Sequence, residues 1–199
     1  MALTSSTSSI VAQAFTYLQM GRPTSFDDDD AQAIDANRAY PEAIRICLEA
    51  CDWSFASAVV HPPLMSELPP GMIADDDLPF AFTVPGDCIT LQEVGDAFTQ
   101  WRLDRKVLRA DQDAPLRLRY TQMLDSEQFM PATFRDAVAL RMACLLAARW
   151  LTTESKIQDL EARADQTLKE AMRRDGRTAS AARADDLSAA SDWVSEALR

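Results

Sequence analysis

Apolar positions between Pro131 and Arg174 predict two consecutive helices that differ in how much of their surface is apolar. From Ala137 to Leu151 nearly every residue is apolar, and a helix that is apolar all round must be buried on all sides. Beyond it, apolar residues recur every three or four positions, a spacing typical of a helix with one buried face. We therefore expect a central helix over 131–151 and an amphipathic helix over 154–174, which Gly176 ends.

The same pattern predicts two helices near the beginning of the chain. Ser8 or Ser9 can cap the first, which we expect over 8–20. The second is expected over 30–52, where apolar residues again recur at helical spacing. Pro41 lies in its path and predicts a kink or break, because a proline inside a helix costs about 3 kcal/mol.

Between these two pairs of helices the spacing changes to alternation, which is typical of strands. The clearest example is the run Leu-Arg-Leu-Arg-Tyr at 116–120. Further strands are expected at Cys88–Val94, Phe98–Leu103 and Lys106–Arg109, the last two joined by a tight turn at Asp104–Arg105. The proline-rich stretch 62–85 is expected to be mostly loop. Together these signals predict a small antiparallel sheet within 55–122, with one face toward solvent.

These elements predict a mainly α fold of the α+β class, in which a helical bundle carries an inserted small antiparallel β-sheet and a C-terminal tail helix. With 199 residues, 47% of them hydrophobic, the chain can bury one good core. We expect one body over 1–177 and a tail segment over 178–199. A helix as short as this segment is marginal by itself. Its apolar residues are therefore expected to dock on a partner: Leu187, Trp193, Val194 and Leu198.

Charge and cysteine usage narrow the classes of function. The net charge of −11 argues against binding to the outside of nucleic acid, because phosphate recognition relies on Lys and Arg. The four cysteines stand in apolar or helical contexts, which favours reduced thiols in an environment like the bacterial cytosol over a disulfide framework. The sequence shows neither a signal-peptide pattern nor an uncharged run of about 18 apolar residues. We expect neither secretion by that route nor a membrane span.

Candidate catalytic and metal-binding residues are few. His61 is the only histidine and has no evident nucleophile for a triad. Cys47 and Cys51 could present two thiolates to zinc, but no other ligands with knuckle spacing accompany them. The acidic runs Asp27–Asp30 and Asp75–Asp77 could bind Mg²⁺, yet neither has a calcium-loop pattern or a partnered base. We expect solvated loops or helix caps there, with no metal, no cofactor and no enzymatic activity.

The four tryptophans are expected to have two kinds of role, because large aromatic residues anchor both cores and interfaces. Trp53, Trp101 and Trp150 are expected to anchor the core. Trp193, on the tail segment, is expected to anchor an interface.

Three stretches of the chain, taken in order, resemble one family. They are CDWSFA at Cys51–Ala56, LPFAFTVPGDCITLQEV at Leu78–Val94, and the run from Leu116 to Leu151 that includes FMPATFRD. This order resembles the head–tail connector, or adaptor, proteins of tailed double-stranded DNA phages, a group that includes tail tubular protein A of short-tailed phages. Bacterial gene transfer agents carry similar proteins. The resemblance covers roughly Ala31 to Arg174.

The resemblance implies a non-enzymatic protein that forms a ring, usually dodecameric, beneath the portal after DNA packaging. Its implied partners are further copies of the chain, the portal protein and a downstream stopper or tail protein, while DNA passes through the channel without specific binding. The implied location is the neck of a virion or phage-like particle, assembled in the bacterial cytoplasm. On this reading, the surplus apolar surface of the central helix contacts the neighbouring subunit.

Two hypotheses about sites follow from this reading. The tail segment is expected to bind the portal through Leu187, Trp193, Val194 and Leu198. The acidic loops are expected to face the channel and repel phosphate, through Asp27, Asp28, Asp29 and Asp30 and through Asp75, Asp76 and Asp77.

Two alternatives stay open at this point. One is a different neck component or a stopper, which ring stoichiometry and position would distinguish from an adaptor. The other is a metal-dependent nuclease or another phage enzyme that uses the acidic runs. It predicts an activity that depends on divalent ions and is lost when Asp75–Asp77 is changed.

Overall fold

The computed structural model describes residues 8–21, 31–124, 126–150 and 153–178. In these residues the chain forms four α-helices and six β-strands, which confirms the predicted mainly α fold of the α+β class. The helices are α1 Ser9–Tyr17, α2 Ala31–Glu49, α3 Ala132–Trp150 and α4 Glu154–Thr178. All four were predicted, and only the end of α4 is displaced by a full helical turn.

Helix α3 is the centre of the helical bundle and contacts α1, α2 and α4. Its buried residues lie all round the helix: Phe134, Ala137, Val138, Ala139, Leu140, Met142, Ala143, Leu146 and Ala147. Among its large apolar residues only Leu145 is classed as exposed, at 38%. The expectation that α3 has surplus apolar surface for a neighbouring subunit is therefore wrong, because three helices of the same chain cover it.

A kink or a break was predicted at Tyr40–Pro41, and helix α2 continues through Pro41 without a break. The proline removes the hydrogen bond that its N–H would have made to the carbonyl of Asn37, one turn earlier. Both Asn37 and Pro41 lie on the exposed face of the helix. Water can therefore satisfy that carbonyl, while the buried face, with Ala36, Tyr40 and Ile44, packs without interruption.

Helix α4 runs past Gly176 to Thr178, so the prediction that Gly176 ends it is wrong. The last turn is held by Asp175, which is only 7% exposed. Its carboxylate accepts hydrogen bonds from Ser54 N, at 2.8 Å, and from Ser54 Oγ, at 2.6 Å. This tertiary contact keeps the final residues helical, where the sequence pattern alone suggested a stop.

The six strands form two antiparallel sheets instead of the one that was predicted. The strands are β1 Ser57–Val60, β2 Phe80–Thr83, β3 Cys88–Val94, β4 Trp101–Asp104, β5 Val107–Ala110 and β6 Leu118–Gln122. Their order is β1-β6-β3 in the first sheet and β2-β5-β4 in the second. Strand β2 lies in the stretch expected to be mostly loop, because its pairing partner β5 is remote in sequence and leaves no local signal.

The strands have a hydrophobic core separate from that of the helical bundle. Both sheets contribute to it: Phe82, Val94, Leu108, Ala110, Leu116, Leu118 and Tyr120. We call residues 57–122 the β module. The helices share a second core, centred on α3, in which Trp53 and Phe134 are fully buried. The chain therefore builds two small cores where one was expected.

A buried carboxylate joins the beginning of the chain to the segment before α3. Glu127 accepts hydrogen bonds from Ser8 Oγ, Ser9 N, Ser9 Oγ and Tyr40 Oη, at 2.5 to 3.0 Å. Ser8 Oγ also accepts a hydrogen bond from Val11 N, which caps α1 as predicted. Burial and the neighbouring carboxylate hold the pKa of Tyr40 well above its usual range, so its hydroxyl stays a donor.

Candidate functional site

An open apolar groove with a volume of about 540 Å³ lies between the two sheets. We call it the inter-sheet groove. It is lined by Val84–Gly86, Cys88–Leu91, Trp101, Leu103, Arg105 and Lys106. Its walls are the outer strands β3 and β4, each of which pairs with a strand on one side only. The groove therefore combines apolar side chains with unpaired strand edges, a combination that suits a docking segment.

Alternation along β4 explains why the groove is apolar. Trp101 is opposite Ala110 and Leu103 is opposite Leu108 in the β4–β5 register, so all four lie on the face that carries the core of the β module. Ala110 and Leu108 are buried, but Trp101 and Leu103 remain 43% and 44% exposed. The core face therefore extends beyond the area that the first sheet covers. The uncovered part is the apolar wall of the groove.

The tight turn between β4 and β5 places two cations at one end of the groove. Arg105 and Lys106 are both exposed, and within the described parts of the chain neither forms an ion pair. Arg105 has φ +60°, a conformation that costs an L-residue about 1–2 kcal/mol and that glycine or asparagine usually fills. In a chain of net charge −11, two uncompensated cations beside an apolar groove favour a negatively charged partner.

A second concavity of about 500 Å³ shares Trp101 with the groove, and its arginine is paired with a glutamate. Glu93 contacts Arg117 and Arg119 across the β3–β6 pair. The pKa of Glu93 lies below its usual value, mainly because Arg119 donates a hydrogen bond to it. The positive charge of Arg119 and the contact with Arg117 lower it further. The loop into β4 starts at Gly95, with φ +65°, where a Cβ would collide with Thr99. Within the described residues its lining carries no unpaired cation, and the one carboxylate outside an ion pair, Asp96, accepts hydrogen bonds from Phe98 N and from Thr99.

The opposite face of β4 carries ion pairs that hold a loop in place. Arg102 contacts Asp75 at 2.7 Å and Asp104 at 2.8 Å. Arg109, only 3% exposed, donates a hydrogen bond to the carbonyl of Ile73 at 2.6 Å. Its Nε also lies 3.0 Å from Asp104, as an ion pair without hydrogen-bond geometry. We call residues 71–78 the Ile73 loop, and these contacts fix it against the second sheet.

The Ile73 loop contains one of the two acidic runs that the sequence suggested as candidate sites. Asp75 is half-buried, and hydrogen bonding from Arg102 lowers its pKa. Its Oδ1 also accepts a hydrogen bond from Asp77 N at 3.1 Å. Asp76 and Asp77 are exposed, and their carboxylates make no ion pair within the described residues. Two of the three charges of this run are therefore available to a partner.

The remaining predicted site residues lie outside the described residues. This holds for the acidic run Asp27–Asp30 and for the portal-binding residues Leu187, Trp193, Val194 and Leu198. The hypotheses about them therefore stay predictions.

The expectation for Trp101 is wrong, whereas Trp53 is a core residue as predicted. Trp53 is 1% exposed, and its ring packs against Phe134 at 4.9 Å between centroids. Trp150 is half-buried beside the helical core and donates a hydrogen bond to Asp35 at 3.1 Å. The sequence did not predict that Trp101 is exposed. Alternation places its side chain on the core face of the strand but does not show whether the opposing sheet covers it.

The thiols and the histidine form no disulfide and no metal cluster within the described residues. His61 is exposed, and none of the four cysteines forms a disulfide. Burial raises the pKa of Cys47 to about 12, which makes its thiolate very scarce at neutral pH. Within the described ranges, no group of three or more histidine, cysteine, aspartate or glutamate residues is placed to hold a metal ion.

The sequence carries one local signal for the groove. Trp101 and Leu103 are separated by one polar residue and followed closely by two cations, which places apolar bulk and positive charge at one hairpin tip. The two buried carboxylates, Glu127 and Asp175, carry no such signal, because their partners are more than 80 residues away along the chain.

No protein-family model and no curated protein matches the chain. Among the described residues, no helix is long and apolar enough to cross a bilayer.

Proposed function

We propose that the chain is a structural head–tail adaptor of a phage or of a phage-like particle such as a gene transfer agent. It forms a ring beneath the portal, links the DNA-filled head to the tail and continues the DNA channel. The observation that carries the proposal is the inter-sheet groove, an open apolar surface with a cationic rim on a module that has its own core. Such surfaces are typical of protein–protein contacts, and an adaptor works entirely through contacts.

The stretches that carry the family resemblance come together in space, which supports the proposal. Trp53 and Phe55, from the first stretch, each pack against Phe134 of the third at 4.9 Å between ring centroids. The second stretch, Leu78–Val94, supplies β2 and β3 and with them one wall of the groove. The resembling residues therefore form the joint of the helical bundle and the groove of the β module, and are not scattered over the surface.

The proposed partners follow from this role. Copies of the chain form a homo-oligomeric ring, dodecameric as in the family, that contacts the portal protein on one side and a stopper or tail protein on the other. The ring is assembled in the bacterial cytoplasm and resides in the particle neck. The tail segment, through Leu187, Trp193, Val194 and Leu198, is proposed to reach the portal.

DNA is proposed to pass through the channel without specific binding. A net charge of −11 per copy repels phosphate and supplies few cations for counterion release. Asp27–Asp30 is the acidic run proposed to face the channel. In the other run Asp75 is neutralised by Arg102, and Asp76 and Asp77 are better suited to a contact between subunits.

The alternatives are weaker. A stopper or other neck component would use the same kind of contact surface and differs in its position within the particle. A metal-dependent enzyme would need the carboxylate of Asp75, but the guanidinium of Arg102 already occupies one oxygen of that carboxylate, and the Asp77 N–H binds the other. A metal ion at this carboxylate would have to displace both.

The proposal is tested with particles that lack the protein. We expect DNA-filled heads without tails, seen by electron microscopy, and tails restored when the full chain is supplied. Tailed particles that form in its absence would contradict the proposal.

The tail segment is tested in the same assay. Deleting 179–199 keeps α4 complete, and we expect a folded chain that no longer attaches to portal-bearing heads. A matched control replaces Ser180, Ser188 and Ser191 by alanine and should attach normally. Attachment of the deleted chain at the level of the full chain would rule out the portal-binding assignment but not the adaptor role.

A further inference from the structure

The Ile73 loop presents an exposed apolar side chain beside uncompensated negative charge. Ile73 is 85% exposed, which is unusual for an isoleucine in a well-held loop. Asp76 and Asp77 follow within four residues, are exposed and make no ion pair within the described residues. The loop therefore offers one apolar group and two negative charges on one short segment.

The inter-sheet groove has the complementary properties. Its wall is apolar, formed by Trp101 and Leu103 together with Ile89 and Leu91, and its end carries the uncompensated cations of Arg105 and Lys106. The charge of this end is +2, and the charge of Asp76 with Asp77 is −2. A volume of about 540 Å³ is ample for an isoleucine side chain with part of its loop.

These two surfaces of one chain lie on opposite faces of β4. Trp101 and Leu103 point to the groove, and Arg102 and Asp104, which alternate with them, point to the Ile73 loop. The loop is held there by Asp75 and by the buried Arg109. It therefore does not reach the groove of its own chain, and a contact between the two surfaces requires two copies.

We infer that the Ile73 loop of one copy docks in the inter-sheet groove of a second copy. Ile73 inserts between Trp101 and Leu103 of the neighbour, and Asp76 and Asp77 pair with the neighbour's Arg105 and Lys106. The contact joins unlike surfaces, so each copy keeps one free loop and one free groove, and repetition gives a closed ring or an open chain. The inference rests on the proposed ring and names the contact between its subunits.

Both surfaces are fixed before they meet, which favours association. Ion pairs and the hydrogen bond from Arg109 hold the loop, so docking orders few additional residues. The groove walls belong to paired strands of both sheets. Charge at the rim of the contact should mainly set its specificity and its salt dependence.

Charge reversal in the full chain tests the contact by analytical ultracentrifugation. The groove variant is Arg105→Glu with Lys106→Glu, and the loop variant is Asp76→Lys with Asp77→Lys. We expect the wild-type chain to self-associate more weakly at high salt. Each variant alone should raise the Kd about tenfold or more, because two attractive pairs become repulsive.

An equimolar mixture of the two variants is the decisive measurement. The unchanged loop of the groove variant can then bind the unchanged groove of the loop variant. The positively charged loop of the loop variant can bind the negatively charged groove of the groove variant. We expect the mixture to associate about as well as wild type, which a folding defect in either variant would prevent. Matched controls carry the same charge changes on exposed positions of α2, as Arg38→Glu with Arg45→Glu and as Glu42→Lys with Glu49→Lys, and should associate normally.

Several results would overturn the inference. They are a wild-type chain that stays monomeric up to about 1 mM, variants that associate as well as their controls, and a mixture that remains dissociated. Weakening by the groove variant alone would show that a segment other than the Ile73 loop, such as the tail segment, fills the groove. If the groove variant keeps normal self-association and also restores tails to particles, the contact is wrong and the adaptor role stands. If tails form without the protein, the adaptor role fails whatever the association shows.

Discussion

Replacing Glu127 by glutamine should destabilise the fold strongly, although the substitution changes a single functional group. Glu127 is buried and accepts four hydrogen bonds, two on each carboxylate oxygen. Glutamine keeps the shape but has one acceptor oxygen and an NH₂ group in place of the other. One pair of donors therefore loses its acceptor.

The magnitude follows from which donors can adapt. If the amide oxygen takes the place of Oε1, the hydroxyls of Ser8 and Tyr40 keep their acceptor. The Ser9 hydroxyl can rotate to accept from the new NH₂ group, but the backbone N–H of Ser9 cannot, and it is left facing a donor. Ser9 is exposed, so water can partly replace the lost acceptor, and the cost comes mainly from the loss of charge-assisted hydrogen bonds, which contribute about 1.5–3 kcal/mol each. We expect Glu127→Gln to lower the free energy of unfolding by about 2–4 kcal/mol.

Urea denaturation followed by circular dichroism measures this change. The shift of the midpoint, at unchanged slope, gives the difference in free energy. Glu49→Gln is the matched control, because Glu49 is exposed at the end of α2, and a change within about 0.5 kcal/mol is expected. If Glu127→Gln lowers the free energy of unfolding by less than about 0.5 kcal/mol, this carboxylate does not hold the start of the chain against the segment before α3.

Three further predictions concern stability and reactivity. Gly176→Ala should raise the free energy of unfolding by about 0.5–1 kcal/mol, because the position is helical and a Cβ there meets nothing within 4 Å. A lower free energy of unfolding in urea denaturation would mean that the last turn of α4 is not helical in solution. The thiol of Cys47 should resist a thiol reagent at pH 8 until the chain unfolds, since a pKa of about 12 leaves roughly one thiolate in ten thousand. The pKa of Cys47 in the folded chain lies above its unfolded value of 9.0. The stability that the protonated thiol contributes is therefore complete below pH 9 and is lost as the pH rises through about 12. The free energy of unfolding of Cys47→Ala should fall less steeply with pH in this range.

The charged contacts of β4 show how one strand can serve two surfaces. Its alternate residues reach the groove on one face and the ion pairs of the Ile73 loop on the other. An exposed ion pair contributes little to stability, so Arg102 and Asp75 matter mainly for the position of the loop. Strand β4 therefore supports two surfaces, the apolar wall of the groove and the anchor of the Ile73 loop.

Local sequence patterns predicted those strands and turns whose formation depends mainly on residues close together in the chain. The alternation in 116–120 and in Cys88–Val94 predicted β6 and β3, with the bounds of β3 correct at both ends. Local signals also predicted the tight turn between β4 and β5, one residue before its observed place at Arg105 and Lys106. Strand β2 was missed, because Phe-Ala-Phe-Thr between prolines becomes a strand only by pairing with β5.

The sequence by itself determined the four helices, most of the strands and the mainly α character of the chain. Helix and strand periods are set by residues a few positions apart, and capping by Ser8 depends on the first turn alone. Only the tertiary structure decided that α3 is covered within the chain, that the strands form two sheets, and that Trp101 lies open beside Arg105 and Lys106. Exposure depends on how far the opposing element reaches, and that element comes from distant parts of the chain.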